Sequence, residues 1–95
     1  MYLMISTYLV PLDEVDRLRD QHLAFLDTLE ERGLVVSAGR QDPPAGGVVI
    51  LDVASEAEAL ETMSRDPYVL ADAAEYRATG FTPARGILKD LGQPR

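Results

Sequence analysis

The run Val48-Val49-Ile50-Leu51 is apolar at every position. Successive side chains of a β-strand point to opposite faces, so this segment sends large branched groups both ways and both faces of its sheet need cover. With 95 residues the chain can build one domain around one core. Two helices in so short a chain cover one face only. The other face, carrying Tyr2, Met4 and Tyr8 or the residues that alternate with them, would be left as an exposed apolar patch. A second copy packed sheet to sheet is the economical cover, so a homodimer is expected.

The order of elements agrees with this. Tyr2 to Val10 is rich in β-branched and aromatic residues and stops at Pro11, which predicts a first strand. A helix is predicted from Leu12 to Arg32, with Asp13, Glu14 and Asp16 in its first turn and Gly33 as its stop. Strands follow at Leu34 to Gln41 and Val48 to Ala54, joined as a hairpin through Asp42-Pro43-Pro44-Ala45-Gly46-Gly47. Ser55 and Glu58 have the spacing of a capping box that opens a second helix, which runs to about Arg65. Pro67 ends it, a helical turn covers Tyr68 to Ala74, and a last strand lies near Tyr76 to Phe81. The pattern βαββαβ reads as a ferredoxin-like α+β sandwich with an antiparallel sheet. It occupies residues 1–83 with residues 84–95 as a C-terminal extension, and the stretch from Thr82 to Arg95 is expected to be a strand continuation and a loose tail.

His22 is the only histidine in the chain. Val15, Leu18, Phe25, Leu26 and Leu29 fall within an arc of about 100° on a helix turning roughly 100° per residue. His22 projects to the centre of that arc. An imidazole on the face that meets the sheet needs a hydrogen-bonding partner or a task. One reading is a satisfied core histidine, and the other is a reactive one. Asp66 also carries two readings. An Asp followed by Pro is what an N-cap with proline at the first helical position looks like, and it is also a carboxylate available to His22.

Composition excludes several classes. Sixteen acids against nine bases give a formal net charge of −7, so no basic face is available for nucleic acid or an anionic membrane. Without cysteine there is no disulfide, thiolate nucleophile or Cys-based zinc site, and one histidine excludes a multi-His metal centre within one chain. No metal and no cofactor is expected, and a haem reading has a lone histidine as its whole support. The apolar N-terminus lacks a basic start and a small-residue cleavage site, so a cytoplasmic protein is expected.

The remaining candidates are weaker. Gly46-Gly47 can cradle an anion but is explained by a hairpin turn, since no GxGxxG or P-loop spacing is present. Arg40, at the end of the second strand, can hold an anionic substrate or simply be solvated. The acids Glu30, Glu31, Glu56, Glu58 and Glu61 read as solvated helix surface.

Several blocks taken together resemble the YciI-like, or YCII-related, family. They are His22-Leu23-Ala24-Phe25-Leu26, Gly33-Leu34-Val35-Val36-Ser37-Ala38-Gly39, Gly46-Gly47-Val48-Val49-Ile50, Ser55 with Glu58-Ala59, and Asp66-Pro67-Tyr68-Val69. The resemblance runs from about Tyr2 to Pro83. It implies a ferredoxin-like fold that dimerises into an α/β barrel, and an active site made of a His–Asp pair at His22 and Asp66. The chain departs from the family pattern at Gly39-Arg40, where Gly-Pro is frequent, and at Asp72, where glycine is frequent.

The expected function is that of a small cofactor-independent enzyme in which the pair performs acid–base chemistry, isomerisation or elimination, on a small organic molecule. Tyr8, Ser37 and Arg40 are the expected substrate contacts. The alternative is a non-catalytic metabolite-binding or regulatory module built on the same pocket.

Overall fold

In the computed structural model, which describes residues 1–91, the first strand β1 (Tyr2–Tyr8) is the centre of assembly. It pairs antiparallel with β3 (Gly47–Leu51) on one side and with β4 (Ala74–Gly80) on the other. The edge strand β2 (Val35–Arg40) pairs antiparallel with β3, giving the sheet order β2-β3-β1-β4. This is the ferredoxin-like α+β arrangement. Helices α1 (Leu12–Arg17), α2 (Arg19–Glu31), α3 (Glu56–Met63) and α4 (Pro67–Leu70) supply the second layer.

The first helical segment is not the single helix predicted from Leu12 to Arg32. It breaks at Leu18, whose backbone sits at φ −97° and ψ −4°. The break lets the two halves serve different apolar clusters. Val15 on α1 packs with Tyr68 and Ala74, and Leu29 on α2 packs with Met4, Leu51, Ala59 and Met63. Met4, Leu51 and Met63 are almost wholly buried, and each contributes about 1.5–3 kcal/mol by leaving water. Gly33 ends α2 as the sequence predicts. It adopts φ +73°, and the amides of Gly33 and Leu34 reach back to the carbonyls of Glu30 and Leu29, a Schellman closure that favours a residue without Cβ.

One open alternative is decided and two other expectations are corrected. Tyr2, Met4 and Tyr8 face the helices, not the open side: Met4 is fully buried and Tyr2 and Tyr8 pack on the two clusters. Leu3, Ile5, Val48 and Ile50 occupy the other face, where register sets Leu3 opposite Ile50 and Ile5 opposite Val48. Strand β3 ends at Leu51, short of Ala54, because the chain must turn into the cap of α3. The segment after β4 adds no strand among the described residues. Pro83 is buried and turns follow, and the rest of the expected tail, residues 92–95, lies outside the described residues.

Two local features hold the site end of the sheet. A Cβ on Gly46 would lie 1.8 Å from the Ser6 carbonyl oxygen, so this position admits only glycine. The buried Ser6 hydroxyl accepts the Gly47 amide at 2.7 Å, and the Gln41 side-chain amide donates to the carbonyls of Ser6 and Gly47. Asp72 adopts φ +56°, the left-handed conformation that explains why glycine is a natural alternative there and that Asp tolerates better than most residues.

Candidate active site

Asp66 stands where α4 begins, and both readings of it hold at once. Pro67 at the first helical position keeps Asp66 extended, at φ −59° and ψ 130°, and its side chain accepts the Tyr68 amide at 2.9 Å as an N-cap. The same carboxylate meets His22 from α2, with Nδ1 at 2.9 Å from Oδ1 and 2.8 Å from Oδ2. Tyr76 on β4 adds a third donor, its hydroxyl lying 2.7 Å from Oδ2. Asp66 is fully buried, and a buried carboxylate is tolerated only when its lone pairs are satisfied. Three donors from α2, α4 and β4 meet that demand.

The imidazole is fixed in a second direction as well. It lies on the Tyr68 ring with centroids 4.1 Å apart and planes 8° from parallel. Tyr8 meets Tyr68 edge-on at 6.0 Å and 84°. With Asp66 accepting, the Nδ1 position carries the hydrogen, so the neutral ring presents the Nε2 lone pair to whatever lies beyond. His22 stands in the wall of a cavity of about 260 Å³, with only 14% of its side chain exposed.

Arg40 and Tyr8 form the rim. Arg40 Nε donates to the Tyr8 hydroxyl at 3.1 Å, its guanidinium stands 5.6 Å from the Tyr8 ring centroid, and Nη2 donates to Asp16 on α1 at 2.6 Å. The hydrogen bond to Asp16 holds Arg40 well above its ordinary pKa against the opposing effect of burial, so the guanidinium is permanently charged. Burial, reinforced by the Asp66 charge, pushes the Tyr76 hydroxyl up, which keeps it a donor. Burial also raises Tyr68, and the Arg40 and Arg19 charges partly offset the rise.

Of the five residues singled out by sequence, the structure brings together His22, Asp66, Tyr8 and Arg40. Ser37 is the exception. A bulge between Val35 and Ser37 inserts one residue into β2, so Val35 opposes the buried Leu51 while Ser37 opposes Ile50 on the other face. One added residue inverts the alternation. Ser37 therefore points away from the cavity, into a shallow depression beside Val48 and Ile50. The same inversion carries Arg40 to the cavity side. Tyr76, Asp16 and Arg19 are the site residues the sequence reading missed; Arg19 shares the helix face of His22 at i, i+3 and could have been found from that spacing, whereas no local spacing links Tyr76 or Asp16 to His22.

The family model of the YCII-related domain matches residues 1–82. The chain belongs to the YCII-related family. No curated protein matches this YCII-related chain. Among solved structures it is similar to 5-chloro-2-hydroxyhydroquinone dehydrochlorinase from Burkholderia phenoliruptrix AC1100, determined in complex with 2,5-dihydroxybenzoquinone. That likeness has a TM-score of 0.68 at 19% identity and covers 85% of this chain and 93% of the other. At such identity it carries the YCII-related fold alone. Among the described residues, no helix is long and apolar enough to cross a membrane, and no cluster of three or more His, Cys, Asp or Glu side chains is arranged to hold a metal ion.

Proposed function

We propose that this protein is a small acid–base enzyme acting on a compact hydroxylated cyclic molecule, with His22 as the catalytic residue and Asp66 as the group that orients it. The observation that carries this reading is the hold on the imidazole: Nδ1 on a fully buried carboxylate at 2.8 Å, one face on Tyr68, and the residue itself in the cavity wall. A neutral Nε2 accepts a proton from an acidic O–H or C–H of the substrate, and Asp66 stabilises the imidazolium that results. The electron pair released either expels a leaving group from the adjacent position, so that the substrate loses the elements of an acid, or shifts a double bond. In the second case the proton returns from Nε2 to a different carbon. Both outcomes balance without an oxidant. The dehydrochlorinase of similar fold is named for chemistry of the first kind, and its ring-shaped ligand supports a cyclic substrate.

The same reading takes the protein as a homodimer, closed over Leu3, Ile5, Val48 and Ile50.

The test is a panel of small chlorinated and unchlorinated hydroxyquinols and cyclic enols, 5-chloro-2-hydroxyhydroquinone included, followed by chloride release and by proton exchange in D2O. The wild type converts or exchanges at least one compound, and His22→Gln lowers that rate by about 10²-fold or more while the fold is retained. A His22→Gln variant as active as its parent would overturn the assignment.

A further inference from the structure

The cavity has a direction. It follows α2 from Arg19 past His22 to Asp27 and Glu30, a span of about 16 Å at 1.5 Å per helical residue. Arg19 stands one turn before His22. Arg40 arrives from β2 at the same end, since its anchor Asp16 lies on α1 just ahead of Arg19 and the charges of both arginines act on the Tyr68 hydroxyl. Leu23 and Leu26 follow His22 along the helix, and Asp27 and Glu30 lie toward its far end. An anion is drawn to the arginine end and repelled from the other. That end adjoins the imidazole.

The guanidinium of Arg40 already holds a carboxylate. Asp16 accepts from Nη2 at 2.6 Å, with the arginine side chain 25% and the aspartate side chain 47% exposed. A half-exposed ion pair at a cavity rim exchanges one carboxylate for another at little net cost, because the incoming group restores the interaction that the leaving one gave up. Arginine is suited to this exchange, since its planar fork receives a carboxylate through two parallel N–H donors.

We propose that Arg40, supported by Arg19, is a specificity-determining residue that selects substrates carrying a carboxylate on the ring, and that Asp16 is the internal competitor which that carboxylate displaces. This deepens the acid–base reading of the cavity and rests on it. The anionic end of the ligand lies on the guanidinium, the ring lies beside Tyr8, and the atom that loses its proton faces Nε2 of His22.

The experiment compares two probes of nearly equal shape and different charge, 2,5-dihydroxybenzoate and 2,5-dihydroxybenzamide. Their affinities are measured by calorimetry for the wild type, Arg40→Met and Asp16→Asn, with thermal melts to establish folding and the His22 ring signals to locate the ligand. The wild type prefers the carboxylate by about tenfold, as one charge-assisted contact supplies. Arg40→Met brings the two affinities within about twofold by removing that contact. Asp16→Asn tightens carboxylate binding about threefold or more and leaves the amide unchanged, because the competitor has lost its charge. Equal affinities in the wild type, unmoved by Arg40→Met, overturn carboxylate selection and leave the acid–base reading standing, provided both probes shift the His22 signals. Weaker carboxylate binding by Asp16→Asn overturns the competitor role, since Asp16 would then be positioning the guanidinium. Binding of neither probe to the wild type overturns the proposal, while the acid–base reading is then judged by its own turnover assay.

Discussion

Tyr76 and His22 donate to the same atom of Asp66, Oδ2, at 2.7 and 2.8 Å. The hydroxyl thus competes with the imidazole for one oxygen and also keeps the carboxylate from turning toward any other partner. Tyr76→Phe removes one of three donors. Unfolding in urea is expected to show a loss of about 1.5–3 kcal/mol, the scale of one hydrogen bond to a charged group. The His22–Asp66 contact survives, so the activity found in the substrate panel falls less than for His22→Gln.

The same variant tests a pH dependence. Burial and the nearby Asp66 charge raise the Tyr76 pKa above its unfolded value of about 10, and burial raises Tyr68 in the same direction. A raised pKa means that the native state keeps protons which the unfolded chain gives up. The stability they contribute is complete below pH of about 10 and declines as the pH climbs above it. Stability measured from pH 8 to 11.5 falls over the upper part of that range, and Tyr76→Phe flattens the fall. An unchanged slope in the variant would show that other groups cause it.

Asp66→Asn separates the cap from the charge. Asparagine caps helices as well as aspartate does, so α4 persists. Its Oδ1 accepts the Tyr68 amide, and the amide nitrogen then occupies the place of Oδ2, facing Tyr76 and His22 Nδ1. A donor there drives the ring proton to Nε2 and removes the free lone pair. Nitrogen-15 spectra of the imidazole report the exchange of tautomers directly, and turnover falls by about 10²-fold or more. Retention of the Nδ1–H form in this variant would contradict the orienting role.

Ser55 accepts the Glu58 amide at 3.1 Å, the forward half of the predicted capping box. The return half lands one residue early, with Glu58 Oε2 accepting from Ala54 instead of Ser55. Ser55→Ala is expected to cost about 1 kcal/mol, read as a lower thermal midpoint, with the cavity unchanged. A midpoint equal to the parent's would deny the cap any energetic role.

What was legible in the chain follows from which interactions are local. Gly33, Ser55 and Pro67 act within four residues of themselves, so their effects on α2, α3 and α4 could be read directly. The βαββαβ order followed from the run of strand, helix and turn signals along the chain, and the two-sided run at Val48–Leu51 showed only that both sheet faces need cover. The pairing of His22 with Asp66 spans 44 positions and came from family resemblance, because no period connects them. Three features escaped for a common reason. The bulge before Ser37, the break at Leu18 and the Tyr76 donor are settled by tertiary packing: by Leu51 and Ile50 as partners, by two separate apolar clusters, and by a buried carboxylate needing a third hydrogen bond. The bulge had the largest consequence, since it exchanged the faces of Ser37 and Arg40.

The open sheet face makes the last prediction. Leu3, Ile5, Val48 and Ile50 form a contiguous apolar surface across β1 and β3, none of them fully covered by this chain's own helices. Apolar surface of this kind is stabilised by a self-complementary partner, and a two-fold pair of sheets meets that requirement with the same residues on both sides. Light scattering at micromolar concentration is expected to give the mass of a dimer, with more than about 1,000 Å² buried in total. Ile50 lies in the middle of the patch, opposite Leu3 on one side and Ser37 on the other. Ile50→Lys places a charge there, and a desolvated unpaired ammonium at a sheet-to-sheet contact costs several kcal/mol on each side. The variant is therefore monomeric at the concentration where the parent is dimeric, and His22 and Asp66, on the helix-covered side, keep their contact. A parent protein that scatters as a monomer would remove the dimer and leave this face to some other cover.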